Sequence, residues 1–498
     1  MKEKRVDATI IHDRFSYLWL VVGAILLMLS TGQFSVAFAA WAAPIFLIRF
    51  FRTRRVVVGY FFILLVFYIA CAIAWRSIIN FFIFEQWIPY LLLVVVMALN
   101  GSLAFLADRL LAPRLKGFTA TLVYPLTVTT TWYLYNLVSP MGSFGTTGYE
   151  QYTNQALTQL VSITGIWGLI FLVSWLGPVV NWAWERSFSW PAIRRGAFIF
   201  ISIVSIVLLF GSLRLMFFYP QSGTVRVHGF SLSNEERASI PDGSSHNAKI
   251  NDLLIDGTVR EAQRGAQIVL WQEMAGGGTE EDTNALIAKA KEVAKQQNIY
   301  IVMGVGIQFP DSDSLLENRL MVIDPSGEII INHLKYGATM ISNNVHGDGI
   351  MQMAETPYGT LTGIICYDAD FPITVNQAGH NGADILFLPN GDPNVAVTQL
   401  HAQQAIFRSI ENGVSLVRQD YSLGWSIATD PYGRILAAVD NLRTSERVMV
   451  AQVPTHRVFT LYSILGDYFA WLSVAGFVTI MVYAIISGRK RTSVRPPV

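Results

Sequence analysis

The sequence predicts a multi-span α-helical membrane domain joined to a layered α/β domain. Three observations predict it. Hydrophobic residues make up 52% of the chain and charged residues 14%, against about 45–50% and about 25% in ordinary soluble domains. The apolar excess is concentrated in residues 16–218 and 458–487. Between them, 223–457 alternates short β-like and helix-like pieces. The expected organisation is a membrane domain over 1–219 with about seven spans, a soluble domain over 220–457, and a final span with a basic tail over 458–498.

A span needs about 20 apolar residues. Candidates run over 16–31, 34–50, 57–75, 88–107, 118–138, 159–183, 196–218 and 459–487. The basic N-terminal residues Lys2, Lys4, Arg5 and Arg14 lead into an apolar run without an Ala-x-Ala cleavage pattern. That run therefore reads as a retained anchor, folded back at Gly32-Gln33. Eight spans return both termini to one side. Arg49, Arg52, Arg54, Arg55, Arg109, Arg114, Lys116, Arg186, Arg194, Arg195, Arg489, Lys490, Arg491 and Arg495 join the N-terminal cations on that side. The loops 32–33, 76–87 and 139–158 carry only Arg76. The positive-inside rule then places both termini in the cytoplasm and the soluble domain on the outer face.

Within the soluble part, strands are expected at Thr224–Leu232, Ile268–Trp271, Tyr300–Ile307, Arg319–Asp324, Glu328–Ile331, Leu361–Tyr367, Asp384–Leu388, Val414–Arg418, Ser426–Thr429 and Arg447–Val453. Helices are expected near 246–264, 281–298, 373–381 and 398–412. Turns fall at Asp324-Pro325-Ser326-Gly327 and Asp430-Pro431-Tyr432-Gly433. The net charge of +1 points to no nucleic-acid partner. Cys71 lies in an apolar run, so Cys366 is alone in the soluble part and no disulfide forms there. His333 and His401 lack ligand partners at metal-site spacing, and no metal or cofactor is expected.

Three β-like runs end on chemistry. Glu273 follows Ile268–Trp271, Lys335 follows Glu328–Ile331, and Cys366 follows Leu361–Ile365. A thiol attacks a carbonyl as thiolate. A carboxylate can take its proton and return it to the leaving group, and an ammonium can stabilise the oxyanion. The trio is a candidate thiol acyl-transfer site. Tyr367, Asp368, Asn343, Asp348 and Trp425 are candidate pocket residues. The glycines Gly276-Gly277-Gly278 and the pairs Met340-Ile341 and Ile350-Met351 are candidate flexible loop pieces around a lipid entrance.

The motifs Trp271-Gln272-Glu273, Gly327…Lys335, Cys366-Tyr367-Asp368…Phe371-Pro372, Arg408-Ser409-Ile410-Glu411-Asn412-Gly413 and Ser426…Asp430-Pro431-Tyr432-Gly433-Arg434 resemble the nitrilase (carbon–nitrogen hydrolase) superfamily. The resemblance covers about 224–453. It implies a nitrilase-type αββα sandwich, with Glu273 as general base, Lys335 as oxyanion stabiliser and Cys366 as nucleophile. A nitrilase-like domain held between several spans and one C-terminal span resembles the apolipoprotein N-acyltransferase family, as does the stretch Gly148-Tyr149…Gln155…Gln159–Phe171. That resemblance implies a protein of the bacterial cytoplasmic membrane. It further implies a phospholipid acyl donor, a lipid-modified protein acceptor and a thioester on cysteine. The sequence departs from the family after Lys335. The family's second glutamate is absent, Asn343 stands at its offset, and Asp348 or His346 could replace it. Tyr367-Asp368 stands for the family's Tyr-Glu, and Thr131-Trp132-Tyr133-Leu134 for its Glu-Trp-Leu-Arg. A membrane-anchored amidase, or an N-acyltransferase with another substrate, is the alternative reading.

Overall fold

The computed structural model describes residues 11–82, 87–217, 220, 222–243, 245–309, 316–337, 344–421, 424–441, 443–444 and 447–493. Asn343 and Met340-Ile341 lie outside them. The chain forms two compact units. One comprises 1–138, 145–213 and 467–498; the other comprises 139–144 and 214–466.

The first unit is helical. Among the described residues, five helices are long and apolar enough to cross a membrane: Val56–Ala74, Trp87–Arg114, Ile166–Trp184, Trp190–Phe217 and Tyr468–Ile486. Helices suit this solvent because they satisfy every backbone polar group within the segment. Val57, Phe61, Leu92, Ile206 and Leu472 are exposed on their outer faces, as lipid-facing side chains are. Ile166–Trp184 is instead mostly buried, and Gly177 lets it lie against Pro44. Two expected spans differ in detail. Gly117–Leu122 is a 3-10 turn, and the α-helix begins at Val123. This puts Pro125 in the first helical turn, where a missing N–H costs least. The last expected span begins at Tyr468, because Leu461–Leu465 forms a separate turn closed by Gly466 at φ 55.

Among the described residues, the second unit contains thirteen strands: β1 (Thr224–Phe230), β2 (Ile268–Trp271), β3 (Gly276–Thr279), β4 (Tyr300–Gln308), β5 (Leu316–Ile323), β6 (Ile329–Leu334), β7 (Met353–Thr356), β8 (Gly359–Gly363), β9 (Ile385–Pro389), β10 (Ser415–Gln419), β11 (Trp425–Thr429), β12 (Ile435–Asp440) and β13 (Val448–Pro454). One sheet has the order β13-β1-β2-β4-β5-β6, with β3 added to β4; the other is β12-β11-β10-β9-β8-β7. β1, β2 and β4 are mutually parallel, as are β8, β9 and β10.

The two-residue period of a strand sorts its side chains between layers. Ile268 and Leu270 join Val227, Val302 and Val322 in a core shared with Leu361, Ile385, Phe387 and Val417 of the other sheet. Val269 and Trp271 point the other way and pack with Leu254, Leu286 and Ala290 of helices His246–Gln263 and Glu280–Gln297. Helices Pro372–His380 and Val395–Asn412 accompany the second sheet. The result is a four-layer αββα sandwich. Thr279 caps its helix with a reciprocal Asp282 bond, and Gly413 ends Val395–Asn412 in the left-handed region.

Leu270→Ala removes a fully buried side chain from the inter-sheet core. It should destabilise the protein by about 2–5 kcal/mol, measured as a lower thermal midpoint of the purified full chain in detergent.

Candidate active site

Three strand ends meet at one place. Glu273 follows β2, Lys335 follows β6, and Cys366 opens a 3-10 turn, Cys366–Asp370, three residues beyond the end of β8. The strand before Cys366 is shorter than expected. It stops at Gly363 because the backbone turns, and Cys366 takes φ 46. A non-glycine residue in the left-handed region is held there by its surroundings, at a cost of about 1–3 kcal/mol. Met274, directly after Glu273, has φ 49.

Lys335 Nζ donates to Glu273 Oε1 at 2.5 Å, and Asn318 Nδ2 donates to the same oxygen at 2.6 Å. The side chains of Lys335 and Glu273 are only 8% and 7% exposed. Lys335 N–H also donates to the Asn318 carbonyl at 2.9 Å, so one residue of β5 holds both partners. A Cβ on Gly391 would lie 3.1 Å from Glu273 Oε2; glycine leaves that oxygen room. Burial opposes the Lys335 charge, but Glu273 and the nearby Cys366 hold its pKa above the usual lysine value. Burial and Glu273 push the Cys366 thiol well up, against the pull of Lys335 and the Gly391 N–H. Carboxylate, ammonium and thiol therefore share one electrostatic site. The resting thiol is protonated and needs a base at the moment of attack.

Asp368 lies in the interior. Its Oδ1 accepts from Tyr336 N–H at 2.9 Å and Gly337 N–H at 2.6 Å. Its Oδ2 accepts from Ile365 N–H at 3.0 Å and contacts His333 Nε2 at 2.9 Å. It ties the cysteine turn to the segment after Lys335. Tyr367 is buried, its ring against Phe371, Phe144 and His401. Asp348 is exposed and accepts from Ile350 N–H. Trp425 is half-buried; its N–H donates to Thr398 Oγ1 and its carbonyl accepts from Arg418.

A buried ionic network stands behind the cysteine. Asp392 Oδ1 is 3.8 Å from Cys366 Sγ and 2.5 Å from His401 Nδ1, while Arg418 holds Oδ2. His401 Nε2 lies 3.2 Å from Asp370 Oδ2. Burial works against the His401 charge, but Asp392 and Asp370 raise its pKa to about 10. Burial likewise opposes the Asp392 carboxylate, yet His401 and Arg418 hold it below the usual range. The donor atoms of Cys366, Asp392 and His401 lie within 4.8 Å of one another. Both imidazole nitrogens already face carboxylates, however, and both Asp392 oxygens are engaged. The cluster fits an ion-pair set better than a metal cage.

Residues 139–144 complete this unit. Ser143 N–H and Oγ donate to the Asp370 carbonyl at 2.7 and 2.8 Å, and Gln404 Nε2 donates to Ser143 Oγ at 3.0 Å. Gly142, at φ 50, sits so close to the Asp370 carbonyl that a Cβ would clash. The Phe144 ring lies 4.9 Å from the His401 ring.

Residues 245–460 match the family described as Carbon-nitrogen hydrolase, and residues 23–179 match the Apolipoprotein N-acyltransferase N-terminal domain. The chain is an apolipoprotein N-acyltransferase-like membrane protein of the nitrilase superfamily. It is 25% identical to an apolipoprotein N-acyltransferase of Geobacter metallireducens over 370 residues, covering 68% of this chain and 69% of that one. It is 29% identical to a hydrolase of Schizosaccharomyces pombe over 181 residues, 32% of this chain and 55% of the relative; the match thus spans about half of that hydrolase. Among solved structures, an amidase from Nesterenkonia sp. AN1 is 20% identical with a TM-score of 0.39, covering 48% of this chain and 93% of its own.

Sequence reasoning missed Asn318, Asp392, Asp370 and the 139–144 segment. It weighed His401 only as a metal ligand. A group whose folded pKa is raised stabilises most when protonated in both states. His401 should therefore stabilise fully below its ordinary value of 6.5, with the contribution lost as pH rises through about 10. In His401→Gln, the thermal midpoint should fall less steeply between pH 7 and 10 than in the wild type, as read by unfolding scans across that range.

Proposed function

We propose that the chain moves a fatty acyl group from a phospholipid to the N-terminal amine of a lipid-modified protein. Cys366 Sγ attacks the acyl ester carbonyl as Glu273 takes the thiol proton. The C–O bond breaks, and Glu273 protonates the departing lysophospholipid oxygen. Lys335 stabilises the oxyanion, with the Tyr367 N–H as a second donor. The acceptor amine then attacks the thioester, Glu273 takes its proton, and the thiol leaves protonated. Nothing but acyl donor and amine is consumed, and no metal or cofactor enters.

The observation that carries this reading is the 2.5 Å contact between Lys335 and Glu273 beside a buried thiol. A buried ion pair poised against one sulfur is costly unless it has work to do. The membrane unit supports a lipid donor, since such a substrate seldom leaves the bilayer. The N-acyltransferase named in Geobacter metallireducens, aligned over most of the chain, supports the lipoprotein acceptor. On this reading the catalytic unit faces the outside of the cytoplasmic membrane of a bacterium, with both termini inside.

A second reading keeps the thioester and lets water or a small amine resolve it. The hydrolase of Schizosaccharomyces pombe and a deaminated glutathione amidase of Dictyostelium discoideum favour it, and each aligns with 32% of this chain. The mass of the trapped acyl group separates the two, since a short polar group rules out a phospholipid donor.

Mass spectrometry of lipoprotein N-termini tests the proposal in cells with the wild type, with Cys366→Ser or Lys335→Ala, and with no copy. The wild type should restore the N-acyl mass. Each variant should lower N-acylation by at least about a hundredfold. Unchanged N-termini in the cells without the protein contradict the substrate assignment.

A further inference from the structure

The membrane unit contains a cavity of about 540 Å³ lined by charged residues, within the range of small-ligand sites. It lies where the helices Ala37–Arg52, Trp87–Leu111 and Ile166–Trp184 all end. Its lining includes Arg49, Arg52, Arg109, Asp108, Trp182 and Glu185.

Three arginines and two carboxylates, Asp108 and Glu185, line the cavity. Arg49 Nη2 pairs with Asp13 at 2.9 Å, and Arg52 spans Asp108 and Glu185 at 2.8 Å each. Arg109 Nη2 donates to the Arg54 carbonyl at 3.1 Å. Asp13 lies outside the lining but neutralises Arg49 from behind, so three guanidinium groups meet three carboxylates in and around the cavity, and neither a simple anion nor a simple cation matches the whole wall.

Two deeply buried atoms are left over. Asp108 Oδ1 and Trp182 Nε1 have no hydrogen-bond partner among the described residues, and their residues are 2% and 7% exposed. One is an unmet acceptor and the other an unmet donor. Buried polar groups of this kind normally find partners. A ligand that satisfies both carries a hydrogen-bond donor and an acceptor.

We propose that this cavity holds the zwitterionic head group of a membrane phospholipid, with a phosphate oxygen at Trp182 and an ammonium at Asp108. Glu185 adds negative charge at the ammonium end, where Arg52 bridges it to Asp108, and the Arg186 guanidinium, 4.4 Å from the Trp182 ring centroid, adds positive charge at the phosphate. The setting favours a lipid over a free phosphoester. Tryptophans gather at the depth of lipid head groups, basic pockets between helix ends receive them, and the outer face of Trp87–Leu111 is apolar. The cavity lies wholly in the membrane unit and does not depend on the proposed chemistry at Cys366.

Native mass spectrometry of the delipidated full chain tests this with three probes: phosphatidylethanolamine, phosphatidylglycerol with the same acyl chains, and soluble glycerophosphoethanolamine. The wild type should retain phosphatidylethanolamine about tenfold better than phosphatidylglycerol. Trp182→Phe, which keeps the ring but removes the donor, should lose about tenfold. Asp108→Asn should also weaken retention; should it fail to fold, Trp182→Phe still decides. A lipid held beside Cys366 is common to the wild type and Trp182→Phe, so the difference between them reports this cavity alone. Equal retention of the two lipids overturns the proposal, as does an unaffected Trp182→Phe. Displacement by glycerophosphoethanolamine at concentrations equal to the lipid overturns the lipid source.

Discussion

The buried contact between Lys335 and Glu273 is the constraint on which the catalytic unit depends. Two opposite charges taken out of water gain little unless their geometry is held. Here β2, β5 and β6 hold it. Asn318 bonds to the same Glu273 oxygen as Lys335 and also accepts the Lys335 N–H. The cost of burial is offset by a site in which each charge acts on the thiol. Burial and Glu273 keep Cys366 protonated at rest, and Lys335 favours the anion that forms as the proton leaves.

The second sheet supplies the thiol under a different constraint. The turn Cys366–Asp370 is fastened at several points. Asp368 binds it to Tyr336 and Gly337, Ser143 binds the Asp370 carbonyl, and His401 bridges Asp370 to Asp392. These bonds over-determine a backbone that an isolated cysteine would not adopt. Asp368 is thus a strut within the turn.

Much of this was legible in the sequence because apolar runs report buried strands directly. Ile268–Trp271 has the boundaries the sequence predicts, and Glu273, Lys335 and Cys366 were recognisable at strand ends. Gly276–Thr279 was read as a flexible loop, since glycine disfavours strands. It is a strand because Asn251 bonds to both the N–H and carbonyl of Gly277 and β4 pairs with it. Ser139–Phe144 carried no periodic signal, and its partners lie more than two hundred residues away. Such long-range polar contacts leave no local pattern. The Asp392–His401–Asp370 set was hidden for the same reason.

The most direct measurement is the pH dependence of Cys366 alkylation, followed by peptide mass spectrometry in the wild type and Glu273→Gln. The account predicts a wild-type thiol that stays protonated well above the ordinary cysteine range, with alkylation still rising at the alkaline end. In Glu273→Gln the carboxylate no longer opposes ionisation while Lys335 still favours it, so the curve should move to lower pH. Superimposable curves would mean that Glu273 and Lys335 do not govern the sulfur, and would contradict the shared site.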